Sequence, residues 1–390
     1  MKYLISEERR YILQTYKRYP LILKRGDGVY LYDDKGRKYL DFLAGISVNN
    51  LGYNHKEILK VIDKASRELI HTSNLFYTEP QVQLAKKLSN LTNKGKVFFA
   101  NSGAEANEAA IKLARAYGNS FSKKRYEIIT LKNSFHGRTL ATIFATGQIK
   151  YQKGFEPKIR GFKYVPINDI NKLKKSVNEK TAAIMIELIQ GEGGVNLLSK
   201  EFVSEIVKIC KERDILFIVD EIQTGLGRSG EIFAFKHFKV IPDIVTVAKS
   251  LANGFPIGAM IVKNKFAKYL SYGMHASTFG GGYLITSVAS KVIDIVSKDS
   301  FLKKVKKKGE YFKRRLEELK DKKNNIKNVK GIGLMLGIEL NQECSVMVNK
   351  AIQNGLIINC IQGNILRFLP PLIISEKEID EGINILQKIL

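Results

Sequence analysis

Ile215-Leu216-Phe217-Ile218-Val219-Asp220-Glu221 sets five apolar residues before two carboxylates, and Ile244-Val245-Thr246-Val247-Ala248-Lys249 places a lysine at the end of a similar run. Short, β-branched-rich runs without strict alternation fit strands covered on both faces. Further runs lie at Val97 to Ala100, Glu127 to Leu131, Ala182 to Ile186 and Ile257 to Val262, separated by helical stretches such as Ala104 to Tyr117 and Glu201 to Glu212. This alternation predicts an α/β layer built on a mostly parallel sheet.

Upstream, Val29 to Tyr32 and Lys38 to Phe42 flank the turn Asp34-Lys35-Gly36 and read as a β-hairpin. Downstream of about residue 285 the pattern changes to a long helix, strand-like Gly337 to Leu340 and Ile365 to Leu369, and a closing helix from Ser375. The expected organisation is a large α/β domain over 46–284 and a smaller α+β domain over 285–390, with segment 1–45 packed against the smaller domain.

Composition narrows the function. The 390 residues carry 64 Lys and Arg against 38 Asp and Glu, a formal charge of +26. Such a balance suits anionic ligands or nucleic acid. Yet the basic residues are dispersed, and the densest run, Lys303 to Arg315, alternates with apolar positions like the solvated face of a helix, so no nucleic-acid partner is expected. The charged N-terminus lacks the apolar core of a signal peptide, and no run is long enough to span a bilayer, so a cytoplasmic protein without membrane attachment is expected. Cys210, Cys344 and Cys360 lack metal-ligand or framework spacing and read as three buried thiols. The five dispersed histidines form no HExxH, and no metal is expected.

In open α/β sheets ligands bind outside the carboxyl ends of the strands. Here those ends carry Asn101-Ser102-Gly103-Ala104-Glu105, then Glu187, then Asp220-Glu221, then Lys249. Ser102 and Glu105 have capping-box spacing, and Gly103 lets backbone approach a ligand where a helix begins, which suits a phosphate but also an ordinary capped helix. Asp220 needs a cationic partner if it is buried and ionised, and a protonated heterocyclic nitrogen would serve as well as a turn-capping role. Lys249 is either a lysine reaching solvent or a desolvated amine nucleophile. Gly225-Leu226-Gly227-Arg228-Ser229-Gly230 matches a dinucleotide fingerprint, but Asp220 to Thr224 separate it from the strand, so it reads as a tight loop.

The segment Phe217-Ile218-Val219-Asp220-Glu221-Ile222-Gln223-Thr224-Gly225-Leu226-Gly227-Arg228, followed by Pro242-Asp243-Ile244 and Lys249, resembles the signature of class III pyridoxal-phosphate aminotransferases. The resemblance runs from Gly28-Val29-Tyr30 to Leu366-Arg367-Phe368, and within the class it is strongest to acetylornithine aminotransferases. It implies the fold type I architecture with a seven-stranded sheet, the cofactor pyridoxal 5'-phosphate bound in domain 46–284, and a homodimer with shared active sites. It further implies that Lys249 holds the cofactor as a Schiff base and Asp220 pairs with the ring nitrogen. Gln223 would lie near the phenolic oxygen, Phe135 on the ring face, and Ser102, Gly103 and Ala104 at the phosphate, which Thr278 completes from the partner subunit.

For small-molecule amino and keto acids, Arg138 would grip a carboxylate with Ser277 beside it, and Glu187 would neutralise Arg367 until 2-oxoglutarate claims that arginine. The implied reaction moves the δ-amine of N-acetyl-L-ornithine to 2-oxoglutarate with ping-pong kinetics, as in arginine biosynthesis. Other ω-aminotransferase substrates, such as ornithine, succinylornithine, 4-aminobutyrate or a carrier-bound lysine, are the alternatives, and a basic nucleic-acid-binding protein on the same scaffold is the non-enzyme alternative. Ile46 stands where ornithine aminotransferases carry tyrosine. The chain departs from the family's usual pattern at Leu188, at Gly281-Gly282-Tyr283 and at Tyr53.

Overall fold

The computed structural model describes residues 2–390. Seven strands form the central sheet in the order Lys96–Ala100, Gly258–Val262, Ile244–Val247, Leu216–Asp220, Thr181–Ile186, Glu127–Leu131, Phe162–Val165. The last five run parallel, while Gly258–Val262 opposes both its neighbours. The fold is therefore the mostly parallel α/β layer expected. Phe162–Val165 escaped the sequence reading because it is an edge strand with partly exposed side chains and a lysine within it.

Alternation along each central strand splits the core. Leu216 and Ile218 pack with Ala110, Leu113 and Tyr117 of the helix Gly103–Gly118, whereas Phe217 and Val219 face Phe202 and Ile206 of the helix Lys200–Arg213. Both faces are covered, so Thr181–Ile186, Leu216–Asp220 and Ile244–Val247 are buried throughout. Burial leaves the carboxyl ends of these strands as the place where polar residues meet.

A second, antiparallel sheet orders Ile326–Ile332, Met335–Leu340, Ile365–Phe368 and Asn359–Ile361. The helices Asp299–Lys322 and Glu376–Ile389 share its core, and Phe42 from the N-terminal segment meets Phe312 and Phe368 edge-on at 5.2 and 6.1 Å. Each such aromatic pair contributes about 1 kcal/mol beyond burial. The hairpin strands Tyr30–Asp33 and Lys38–Asp41 pair antiparallel, and the latter continues in parallel to Leu356–Ile357. The basic run 303–315 lies on the helix Asp299–Lys322, which buries Val305, Phe312, Leu316 and Leu319 and exposes its charges.

One expectation is corrected: Cys344 and Cys360 are joined in a disulfide, and Cys210 alone is a free buried thiol. The bond follows from tertiary packing. Cys344 N donates to the Gly363 carbonyl at 2.9 Å, which folds the start of the helix Ser345–Gln353 against the strand Asn359–Ile361. No helix is long and apolar enough to cross a membrane among the described residues.

The glycine-rich segment 225–230 is a loop, and its Arg228 is fully buried. The guanidinium donates to Ser47 Oγ, Asn50 Oδ1 and the carbonyls of Leu334 and Pro370 at 2.6–3.0 Å. Burial pulls its pKa down to about 9, against the opposing pull of Asp41. Arg228 thus ties the large α/β layer to residues on both sides of it. Its partner Ser47 ends a turn in which Ala44, Gly45, Ile46 and Ser47 all have φ between 48° and 65°. Left-handed backbone at non-glycine residues costs about 1 kcal/mol or more each, so the surrounding hydrogen bonds must hold it.

Candidate active site

A cavity of about 230 Å³ opens at the carboxyl ends of the central strands. Eight of the twelve residues singled out from sequence line it: Gly103, Ala104, Phe135, Arg138, Glu187, Asp220, Gln223 and Lys249. Ser102 caps the helix just outside, its Oγ accepting from Glu105 N at 3.2 Å. The free amides of that helix's first turn and its dipole favour an anion where Gly103 and Ala104 meet the cavity. A Cβ on Gly103 would come within 2.8 Å of Ile222 Cδ1, so the helix start sits as close to the cavity wall as bare backbone allows.

Asp220 is 4% exposed. Its Oδ1 accepts from Ile222 N at 3.0 Å, and its Oδ2 accepts from Asn107 Nδ2 at 2.8 Å and faces His136 Nδ1 at the same distance. Lys249 begins a short 3-10 turn with φ of 49°, which turns its side chain out of the strand line toward the cavity. Burial lowers the Lys249 pKa, with Asp220 and Glu192 opposing, so the neutral nucleophilic form is closer to hand than in a free lysine.

The switch pair expected between Glu187 and Arg367 is not what the structure holds. Arg367, fully buried, donates from Nη1 to Glu192 Oε1 at 2.6 Å and to Gln223 Oε1 at 3.2 Å. Glu187 instead accepts from the backbone amides of Phe135 and Gly191, at 2.8 and 3.1 Å. Burial pushes Glu187 up to about 7. Burial alone would raise Glu192 as well, but the adjoining Arg367 outweighs it and holds the carboxyl below its ordinary value. The reason lies in the loop: Gly191 leaves room for the Gln223 side chain, which a Cβ there would meet at 2.2 Å, and the chain then turns Glu192 inward.

Arg138 sits at the mouth, its guanidinium 4.1 Å from the Tyr151 ring centroid and 5.5 Å from that of Phe135. Among the described residues no carboxylate pairs with it. Ser277 and Thr278 lie apart, lining another cavity with Asn101, whose Nδ2 donates to Ser277 Oγ at 3.1 Å. Sequence reasoning gave no role to Glu192, His136 or Asn107. Glu192 was detectable as a second glutamate, five positions after the first, in a glycine-rich loop. The other two carried no local signal, since their partners are distant in the chain.

A family model described as Aminotransferase class-III matches residues 11–390. The chain is a class-III aminotransferase. This aminotransferase is 50% identical over 389 residues to the acetylornithine aminotransferase of Caldanaerobacter subterraneus subsp. tengcongensis, with 99% of each chain covered. It is 49% identical to that of Methanocaldococcus jannaschii, covering 99% of this chain and 97% of the relative. A crystal structure of ornithine aminotransferase from Toxoplasma gondii superposes with a TM-score of 0.95 at 29% identity, covering 100% of this chain and 94% of that one. As an aminotransferase the protein acts on small amino and keto acids.

Proposed function

We propose that this aminotransferase moves the δ-amino group of N-acetyl-L-ornithine to 2-oxoglutarate, with pyridoxal 5'-phosphate as cofactor, as a cytoplasmic homodimer with shared active sites. The observation that carries the reading is the placing of two arginines: Arg138 lines the cavity with no carboxylate partner among the described residues, and Arg367 lies buried behind Glu192 and Gln223, which line it. A donor with one carboxylate and a distal amine needs only Arg138. A dicarboxylic acceptor needs both, and takes Arg367 from Glu192. The names of the similar proteins support the acetylated donor, and Ile46 offers no hydrogen-bonding group to a free α-ammonium.

The residues present fit the cofactor. The tight helix start at Gly103 and Ala104 suits a phosphate, Asp220 a protonated ring nitrogen, and the unpartnered, buried Nη2 of Arg367 and Nε2 of His136 leave polar capacity beside the cavity. When bound, pyridoxal phosphate supplies a carbonyl carbon that takes up the amine and a ring that draws off electrons. Lys249 Nζ, its basicity reduced by burial, takes the proton from the substrate carbon that bears the nitrogen and later returns one. Asp220 holds its carboxylate fixed through its buried hydrogen bonds. Phe135 closes one wall and excludes water, and Glu187 anchors that wall through Phe135 N.

Residues 46–284 would be the cofactor-binding domain, and 285–390 with 1–45 the smaller one. Exposure of Leu75 (87%), Phe76 (67%) and Phe279 (65%) beside Thr278 supports a subunit interface there, across which Ser277 and Thr278 would serve the partner's site. The test is glutamate formation by the purified holoenzyme from 2-oxoglutarate and a panel of ω-amines. N-acetyl-L-ornithine is expected to give the highest kcat/KM. Faster turnover of free ornithine would replace this reading by the one that the similarity to ornithine aminotransferase structures favours.

A further inference from the structure

Asn107 joins the elements that would hold the cofactor. It lies in the second turn of the helix that starts at Gly103. Its Nδ2 donates to Asp220 Oδ2 at 2.8 Å and to the His136 carbonyl at 2.7 Å, and its Oδ1 accepts from Thr246 Oγ1 at 2.7 Å. Asn107 and Thr246 are both 0% exposed. The orientation of the amide is decided by its neighbours. A carboxylate and a carbonyl only accept, so the nitrogen must face them, and the threonine hydroxyl must then donate to the remaining oxygen.

We propose that Thr246 and Asn107 form a positioning relay that aims the Asp220 carboxylate at the cofactor's ring nitrogen and fixes the spacing of the surrounding elements. One amide links the helix bearing Gly103 and Ala104, the loop bearing Phe135 and Arg138, and the strand end bearing Asp220. Thr246, three residues before Lys249, adds the fourth element. The relay rests on the reading of Asp220 as the ring-nitrogen partner. Both N–H donors of the amide are used and Thr246 Oγ1 is the donor to Oδ1, so loss of the Thr246 hydroxyl leaves Oδ1 buried without a donor. Rotation of the amide to relieve this would bring Oδ1 against Asp220 Oδ2, oxygen to oxygen, and push the carboxylate off its line.

The experiment compares Thr246→Val and Thr246→Ser holoenzymes with wild type. The readouts are the pH titration of the bound cofactor's visible absorbance, kcat and KM in steady state, and the thermal midpoint. Thr246→Val, close in shape, is expected to shift the titration midpoint and lower kcat on the order of 10- to 100-fold, with both KM values within about twofold. Thr246→Ser, which keeps the hydroxyl, is expected to restore both. A wild-type midpoint and kcat in Thr246→Val overturn the relay even if the melting temperature falls, and so does equal damage in Thr246→Ser. If Thr246→Val fails to fold, Asn107→Asp keeps the shape and the Thr246 bond while removing both N–H donors. Its added negative charge is expected to move the midpoint upward, and an unchanged midpoint overturns the relay. A wild-type protein that develops no visible band with pyridoxal phosphate would overturn the cofactor reading itself, a result distinct from any of these.

Discussion

Replacing Glu192 by glutamine tests how the site accommodates two substrates of different charge. In the structure the Glu192 carboxylate covers Arg367 through a 2.6 Å contact, and Arg367 is fully buried. A dicarboxylic acceptor must displace that carboxylate before it can bind the guanidinium. Glutamine keeps an acceptor oxygen but turns the ion pair into a hydrogen bond with one charged partner, and loss of the second charge weakens the contact by about 1–1.5 kcal/mol. Displacement then becomes easier by that amount, and the KM for 2-oxoglutarate should fall roughly 5- to 15-fold. The donor half-reaction should weaken, because a guanidinium whose charge is no longer neutralised faces a donor that has no second carboxylate. The assay is the two half-reactions measured separately by stopped-flow absorbance, with Glu187→Gln as the control. Glu187 bonds backbone amides rather than Arg367, so its variant should leave the KM for 2-oxoglutarate within about twofold. An unchanged KM in Glu192→Gln, or a fall in Glu187→Gln instead, would refute the assignment.

Gly103→Ala places a Cβ 2.8 Å from Ile222 Cδ1 and should weaken pyridoxal-phosphate binding by on the order of tenfold in a fluorescence titration of the apoprotein; undiminished affinity would count against the helix start as the phosphate site. Burial pushes Glu221 up to about 7 from its ordinary 4.5, so the native state keeps a proton that the unfolded chain loses between those values, and stability falls as pH rises through that window. Glu221→Gln should remove up to about 3 kcal/mol of that pH dependence, and calorimetric melting of the two proteins at acidic and neutral pH should show parallel rather than diverging behaviour if the idea is wrong. Thiol titration of the unfolded, unreduced chain should give one equivalent, from Cys210, rising to three after reduction. Reduction should cost about 3 kcal/mol in denaturant unfolding, the magnitude for a loop of similar length.

The α/β layer and the strand ends that rim the cavity were legible because buried strands are marked by short apolar runs and ligands bind beyond their carboxyl ends. A strand buried on both faces must be apolar along its length, so Leu216–Asp220 and Ile244–Val247 announced themselves, and their first polar residues marked the rim. Phe162–Val165 did not, because an edge strand is free to carry Lys163. Capping chemistry was equally local: Ser102 and Glu105 sit where the spacing placed them.

The kinds of chemistry present and the strand ends that carry them are written locally in the chain, since burial and secondary-structure period act along a few neighbouring residues. Tertiary structure decided the pairings. Glu187 and Glu192 offer the same charge five positions apart, and only the path of the Gly191 loop around Gln223 delivers Glu192 to Arg367. Cys344 and Cys360 became partners through the docking of a helix start on a strand. Asn107 reaches Asp220 and Thr246, each more than a hundred residues away along the chain, because the helix that carries it crosses the strands that carry them. Side-chain direction at such crossings depends on how whole elements pack, and that information is spread over the core rather than written at any one position.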